Sequence, residues 1–284
     1  MHGGFEKMSV LNAIILGLIQ GVAEFLPISS SGHLSILNNL FKMTTTEDGH
    51  LFFDVLLHLG TLFSVCVVYW QDIVEMFYEV LGFINIGPLA GERRAHYPAA
   101  RLFLMIVLGT IPLLLILPIN DMMEGLYYKS IFIGVMLVLT GCILYISDKM
   151  KQGGKTEKNM GMLDAVIIGL CQAVSTIPGL SRSGTTITAG LATGLRRDFT
   201  VKFSFLLSLP AVLGANILAF AKAIKNGVDW SCLPAYLVGT VVAILSGIAS
   251  ITLLKRIAQK GKFGGFAYYC WVVGVLSIIL TVIF

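Results

Sequence analysis

The sequence predicts an all-α polytopic membrane protein, an inverted-topology repeat of about six transmembrane helices plus two re-entrant helical hairpins. Three observations predict it. The 284 residues are 56% hydrophobic and 13% charged, with a mean hydropathy of +0.85, which is not a soluble globular composition. The chain is similar to itself: Leu11 to Gly32 aligns without a gap on Leu163 to Gly184. The basic residues collect on one side when the expected spans are counted along the chain.

Residues 8–25 read as an apolar helix, broken at Pro27 and the Ser29-Ser30-Ser31-Gly32 turn, with a short second run at 33–41. A span needs about 20 apolar residues, so two short pieces around a break mark a re-entrant segment. Residues 51–70 are long enough to cross and carry Asp54 and His58 one turn apart, which must face protein or water. Residues 71–99 read as a charged loop with an interfacial helix. Spans follow at about 101–119 and 131–147, separated by a turn from Asn120-Asp121 to Lys129. Asp148 to Lys158, with Gly153-Gly154 and four lysines, reads as a linker. The hairpin pattern then recurs at 162–177 and 184–195, followed by spans at about 201–221, 233–254 and 266–284. Trp70, Trp230, Trp271 and the Tyr268-Tyr269 pair fall near span ends, as an aromatic belt would place them.

The self-alignment has ten identities in 22 positions, including Gln20/Gln172, Ser29/Ser181, Ser31/Ser183 and Gly32/Gly184, which shared apolar composition does not produce. Phe53, Leu56, Leu57 and Leu59 then match Phe203, Leu206, Leu207 and Leu209. The chain thus reads as one integral membrane domain, with repeat 1 at about 8–147 and repeat 2 at about 162–284. Three spans per half is odd, so the halves should have opposite orientations. Arg93, Arg94, Arg101, Lys149, Lys151, Lys155, Lys158, Arg196, Arg197, Lys202, Lys255, Arg256, Lys260 and Lys262 fall on one side. Lys7, Lys42, Lys129, Lys222 and Lys225 fall on the other. The positive-inside rule makes the first set, and the linker, cytoplasmic and both termini external.

Charge and cysteine usage exclude some classes. A net charge of +4 is small for this length, and no nucleic-acid partner is expected. The five cysteines are scattered, without CxxC spacing, so neither a disulfide framework nor a thiolate metal site is suggested. Lys7 precedes an apolar run interrupted by Gln20 and Glu24, with no small-residue cleavage site following, and no cleaved signal peptide is read.

Chemistry concentrates at the two breaks. Pro178 to Thr186 sets Arg182 among glycines and hydroxyls at membrane depth, where a charge costs about 2.5–3.5 kcal/mol. Such an arginine is a functional-site hypothesis, and the surrounding donors suit a phosphate. The halves have diverged there: Glu24 aligns with Thr176, Ser30 with Arg182, and His33 with Thr185. Gln20 and Glu24, spaced i, i+4, share a helix face. Their oxygens suit Mg²⁺ or Ca²⁺; alternatively Glu24 is a general base, or simply an ion-pair partner of Arg182. Ser30 and His33 can form a nucleophile and base, or His33 can act alone. Ser29, Ser30 and Ser31 also suit capping of the following helix. Asp54 and His58 read as a supporting pair, a proton path or a satisfied couple, and Gly17/Gly21 and Gly190/Gly194 as helix packing.

These residues resemble the undecaprenyl pyrophosphate phosphatase family, the bacitracin-resistance type of integral membrane phosphatase. That family is marked by a (Glu/Gln)-x-x-x-Glu helix leading into Ser-Ser-x-Gly-His, and by Pro-Gly-x-Ser-Arg-Ser-x-x-Thr in the second half. Here these are Gln20 to Glu24 with Ser29 to His33, and Pro178 to Thr186. The resemblance covers nearly the whole chain and implies hydrolysis of undecaprenyl diphosphate to the monophosphate carrier used in peptidoglycan synthesis, with a divalent cation, Mg²⁺ or Ca²⁺. It implies a multi-pass protein of the bacterial inner (plasma) membrane, with a homodimer left open. Glu24, Ser30, His33 and Arg182 match the catalytic positions, and Gln20 and Glu24 the metal positions. Ser29, Ser181, Arg182, Ser183, Gly184 and Thr186 match the diphosphate-binding set. The amide at Gln20 lowers the negative charge of the site, and Asp54/His58 is outside the family pattern. An inverted-repeat transporter or flippase for a lipid phosphate is the alternative from another class.

Overall fold

The computed structural model describes residues 8–41, 51–84, 86, 97–119, 122, 123, 125–260 and 263–283. The first hairpin is α1 (Val10–Phe25) and α2 (Ser30–Phe41). It is followed by α3 (Leu51–Val68), α4 (Trp70–Phe83), α5 (Pro98–Thr110) and α6 (Ser130–Lys149). The second hairpin is α7 (Met162–Val174) and α8 (Arg182–Ala192), followed by α9 (Arg197–Asn226), α10 (Leu233–Lys260) and α11 (Gly264–Ile283). Among the described residues, six stretches are long and apolar enough to cross a membrane: Leu51–Val68, Pro98–Ile119, Ser130–Lys149, Arg197–Lys225, Trp230–Lys260 and Gly264–Ile283. The molecule is a polytopic helical membrane protein. Helices α1 and α7 have 16 and 13 residues, or about 24 and 20 Å at 1.5 Å per residue, short of a hydrocarbon core of about 30 Å.

The two halves pack reciprocally. Helix α1 of the first half lies on α10 of the second, and α7 of the second lies on α5 of the first. Glycines make both approaches. A Cβ at Gly17 would fall 2.2 Å from the Gly239 carbonyl oxygen, and a Cβ at its repeat partner Gly169 would fall 2.2 Å from the Gly109 carbonyl oxygen. Helices α6 and α11 meet at Gly134 and Gly274 in the same way, each close to the other's carbonyl oxygen. This exchange of partners is what a two-fold relation between the halves requires. Repeat partners Leu11 and Leu163, on the outer faces of α1 and α7, are 65% and 70% exposed, as lipid-facing residues are. Gly21 packs on the Ala243 carbonyl and Gly190 on Thr200, whereas Gly194 has φ 87° and turns the chain after α8.

Several elements differ from the expectation. The helix expected within residues 71–99 is α4, at 70–83, and it is anchored inward: its Glu79 is buried and accepts from the Ala99 and Ala100 amides at 2.7 and 3.0 Å. That carboxylate satisfies first-turn N–H groups of α5 that Pro98 leaves without a local cap. Asp72 pairs with Lys202, tying α4 to α9. The linker is docked, not loose. Lys155 bridges to Leu195, and its ammonium meets Asp164 at 2.9 Å. Asp148 accepts from the Phe263 and Gly264 amides, both at 2.6 Å, capping α11. Backbone groups close to buried helices must find partners, and the linker supplies them. The turn residues Asn120 and Asp121, and the basic residues Lys7, Lys42, Arg93, Arg94 and Lys262, lie outside the described residues.

Candidate active site

Each hairpin turns on a proline and a left-handed residue. Pro27 follows α1, and Ser29 has φ 71°, a conformation that costs a non-glycine residue on the order of 1–3 kcal/mol and tends to mark functional sites. Pro178 follows α7, and Gly179 has φ 88°; a Cβ there would lie 2.9 Å from the Ile133 carbonyl oxygen. Ser29 and Ser181, repeat partners, do the same job. Their hydroxyls accept from the Gly32 and Gly184 amides at 3.2 and 3.1 Å, capping α2 and α8. The tips touch: Gly179 N–H donates to Ser31 Oγ at 3.3 Å, and Ser183 Oγ donates to the Leu26 carbonyl at 3.4 Å. The positive ends of two short helices therefore begin beside each other, which favours an anion.

Glu24 is the hub of the site. Its Oε1 accepts from Arg182 Nη2 of the opposite hairpin, and its Oε2 accepts from the Ser30 hydroxyl at 2.7 Å and from Gln20 Nε2 at 3.2 Å. Ser30 and Arg182, equivalent positions of the two repeats, thus converge on one carboxylate. The ion-pair side chains are largely buried. Three further polar atoms here are buried without a protein partner: Gln20 Oε1, Arg182 Nη1 and Thr185 Oγ1. Buried polar groups are normally paired, and a free guanidinium donor, a free hydroxyl and a free amide oxygen fit a phosphate with an associated cation. The remaining expected ligands, Ser29, Ser181, Ser183, Gly184 and Thr186, are engaged in capping and packing. Thr186 Oγ1, for example, meets Ser204 Oγ at 2.6 Å.

Ser30 and His33 are not hydrogen-bonded to each other. His33 Nδ1 lies 2.8 Å from the Ser29 carbonyl and Nε2 lies 2.8 Å from the Tyr269 hydroxyl. A carbonyl only accepts, so Nδ1 carries the proton and Nε2 accepts from Tyr269. The two rings stack, with centroids 5.6 Å apart at 7°. His58 does not bond the Asp54 carboxylate; its Nδ1 meets the Asp54 backbone carbonyl at 2.8 Å.

Among the described residues no group of three or more His, Cys, Asp or Glu side chains could hold a metal ion. Glu24 and the free Gln20 Oε1 fit an ion of the Mg²⁺ kind, which takes one or two protein ligands and completes its shell with phosphate oxygens and water.

Sequence reasoning missed two supports. Thr140, a lone hydroxyl within the apolar run of α6, accepts from Ser181 N–H at 3.1 Å and donates to the Gly179 carbonyl at 3.3 Å, holding the second tip. Tyr269, read from the sequence as one of an interfacial aromatic belt, also holds His33. Trp271 likewise turns into the α6 contact, its indole N–H donating to the Val138 carbonyl at 3.2 Å. The only available signal was a polar atom inside an apolar helix.

The family model described as bacitracin resistance protein BacA matches residues 13–276. The chain belongs to the BacA family. Within it, an undecaprenyl-diphosphatase of Methanosphaera stadtmanae is 37% identical over 281 residues, covering 97% of this chain and 99% of the relative. An undecaprenyl-diphosphatase of Desulforapulum autotrophicum is 38% identical, with 96% and 98% covered. One of Methanobrevibacter smithii is 39% identical, with 95% and 96% covered. Both hairpin tips of this BacA-family chain lie inside the matched segment.

Proposed function

We propose that the protein is an enzyme that hydrolyses undecaprenyl diphosphate to undecaprenyl phosphate and inorganic phosphate, returning the lipid carrier to cell-wall synthesis. The single observation that carries this reading is the Glu24 carboxylate held between a hydroxyl from one hairpin and a guanidinium from the other. Its relatives' names agree with that chemistry. On diphosphate binding, Arg182 shares its fork with the terminal phosphate, supplemented by the free Thr185 hydroxyl and the two helix N-termini. Glu24, released from part of its ion pair, takes the Ser30 proton through the 2.7 Å contact as Ser30 Oγ attacks the terminal phosphorus. The bridging oxygen leaves on the lipid monophosphate. Glu24 passes the Ser30 proton to the departing lipid monophosphate, then deprotonates a water that attacks the phosphorus on Ser30, and returns the proton to Ser30 Oγ as inorganic phosphate leaves. The engagement of His33 Nε2 by Tyr269 supports a positioning role for His33 ahead of direct attack. A divalent cation held by Glu24 and Gln20 would neutralise charge on the diphosphate, where electrostatics supplies most of the catalysis.

The enzyme would work as one domain built of two halves in the plasma membrane, with both termini outside and the linker cytoplasmic. Purified protein in detergent should release phosphate from undecaprenyl diphosphate, lose this activity on chelation, and regain it with Mg²⁺ or Ca²⁺. Undiminished turnover in Arg182→Ala would overturn the assignment. The reciprocal packing of broken helices also suits a carrier, which would move labelled lipid phosphate across liposomes without releasing phosphate.

A further inference from the structure

Beside the first hairpin lies an open groove of about 500 Å³, walled by Val22, Leu26, Ile28, Ile257 and Phe266. Lys260, Gly265 and Tyr269 complete it. Leu26 is two residues from Glu24 and Ile28 two from Ser30, so groove and site share the hairpin loop as a common wall. Tyr269 has a second role, since its hydroxyl meets His33 Nε2 and its ring stacks on the imidazole. The groove is therefore joined to the site at two points.

We infer that this groove seats the isoprenoid units nearest the diphosphate, and that Tyr269 is a positioning residue through which the seated chain fixes His33. The inference rests on the proposed phosphatase function. An apolar channel gains little affinity inside a bilayer, because lipid tails are as apolar as its walls. What it supplies is orientation, holding the head at Glu24 and Arg182 in one pose. Lys260 contributes its apolar stem to the wall. The occupant is the substrate's own chain, because the wall is continuous with the phosphate-facing loop.

The test uses the full-length protein in detergent with two substrates, undecaprenyl diphosphate and a five-carbon prenyl diphosphate too short to fill the groove. A Cβ at Gly265, a groove residue, meets nothing within 4 Å, so Gly265→Phe fills the space without a backbone clash. It should lower kcat for the long substrate more than it raises KM, lowering the long-to-short ratio of kcat/KM at least tenfold. Leu276→Phe, on an exposed position of the same helix, should leave the ratio unchanged. Tyr269→Phe keeps the wall and removes the hydroxyl, so kcat should fall about fivefold with KM unchanged, the size of one neutral hydrogen bond. An unchanged ratio in Gly265→Phe overturns the inference, as does its loss of bound bilayer phospholipid with kinetics unaltered. A Tyr269→Phe effect confined to KM also overturns it. If the unaltered protein releases phosphate from neither substrate, the proposed function fails instead.

Discussion

Replacing Glu24 with Gln keeps the shape of the hub and removes its charge. The two ion-pair side chains are 9% and 19% exposed, so Arg182 would be left a largely buried cation with no anion beside it. Removing one member of a buried pair costs about 3–5 kcal/mol. Residual solvent contact and the remaining amide oxygen reduce this, and about 2–3 kcal/mol is expected for Glu24→Gln. Arg182→Gln should cost a similar amount by stranding the carboxylate. The double variant strands neither charge, so its cost should not exceed that of either single variant, which makes the coupling at least about 2 kcal/mol. Activity should behave differently, because loss of a general base costs about 10²–10⁴ in rate and the second substitution cannot return it. Reversible unfolding in mixed micelles gives the cycle, and phosphate release gives the rates. A coupling under about 0.5 kcal/mol, below what neighbouring residues show, or a Glu24→Gln kcat above a tenth of normal, would refute the hub.

Three further outcomes are expected. Ser30→Ala should lower kcat by about 10³-fold or more, whereas His33→Ala should fall by no more than about 10²-fold; steady-state phosphate release showing the reverse order would make His33 the nucleophile. Gly17→Ala and Gly169→Ala should each destabilise by about 1–3 kcal/mol, since each Cβ meets a carbonyl oxygen of the other half. Gly214→Ala, in open space within α9, should stabilise by about 0.5–1 kcal/mol; equal thermal shifts at all three would contradict the reciprocal packing. Thr140→Val removes both hydrogen bonds to the second tip, leaves the Ser181 amide unpaired, and should cost about 1–3 kcal/mol while raising KM more than it lowers kcat.

The spans and both hairpins were legible because hydropathy and breaks are local properties. Leu51–Val68 and Ser130–Lys149 announce themselves by composition, and Pro27 and Pro178 by chemistry. The hub was half legible: the self-alignment set Ser30 opposite Arg182, and an ion pair of Glu24 with Arg182 was one reading, but nothing showed that Ser30 would close on the same carboxylate. His33 and Tyr269 are 236 residues apart, and an aromatic near a span end has the same sequence signature whether it faces headgroups or an imidazole. The docking of Asp148 to Lys158 was hidden for a related reason. Lysines and glycines look the same in a free tether and in a segment pinned through Asp148 and Lys155, and only the neighbouring chain decides between them.

The exchange of Gly17 with Gly239 has a consequence for biogenesis. The seat of the first hairpin is synthesised last, so α1, carrying Gln20 and Glu24, must wait while some 220 residues are made, roughly 10–45 seconds at ordinary elongation rates. During that interval a too-short apolar helix carrying two polar side chains has only α2 and α3 beside it and lacks its main seat. Ribosome-bound chains truncated before residue 239 should therefore crosslink through α1 to the insertion machinery, and full-length chains should not.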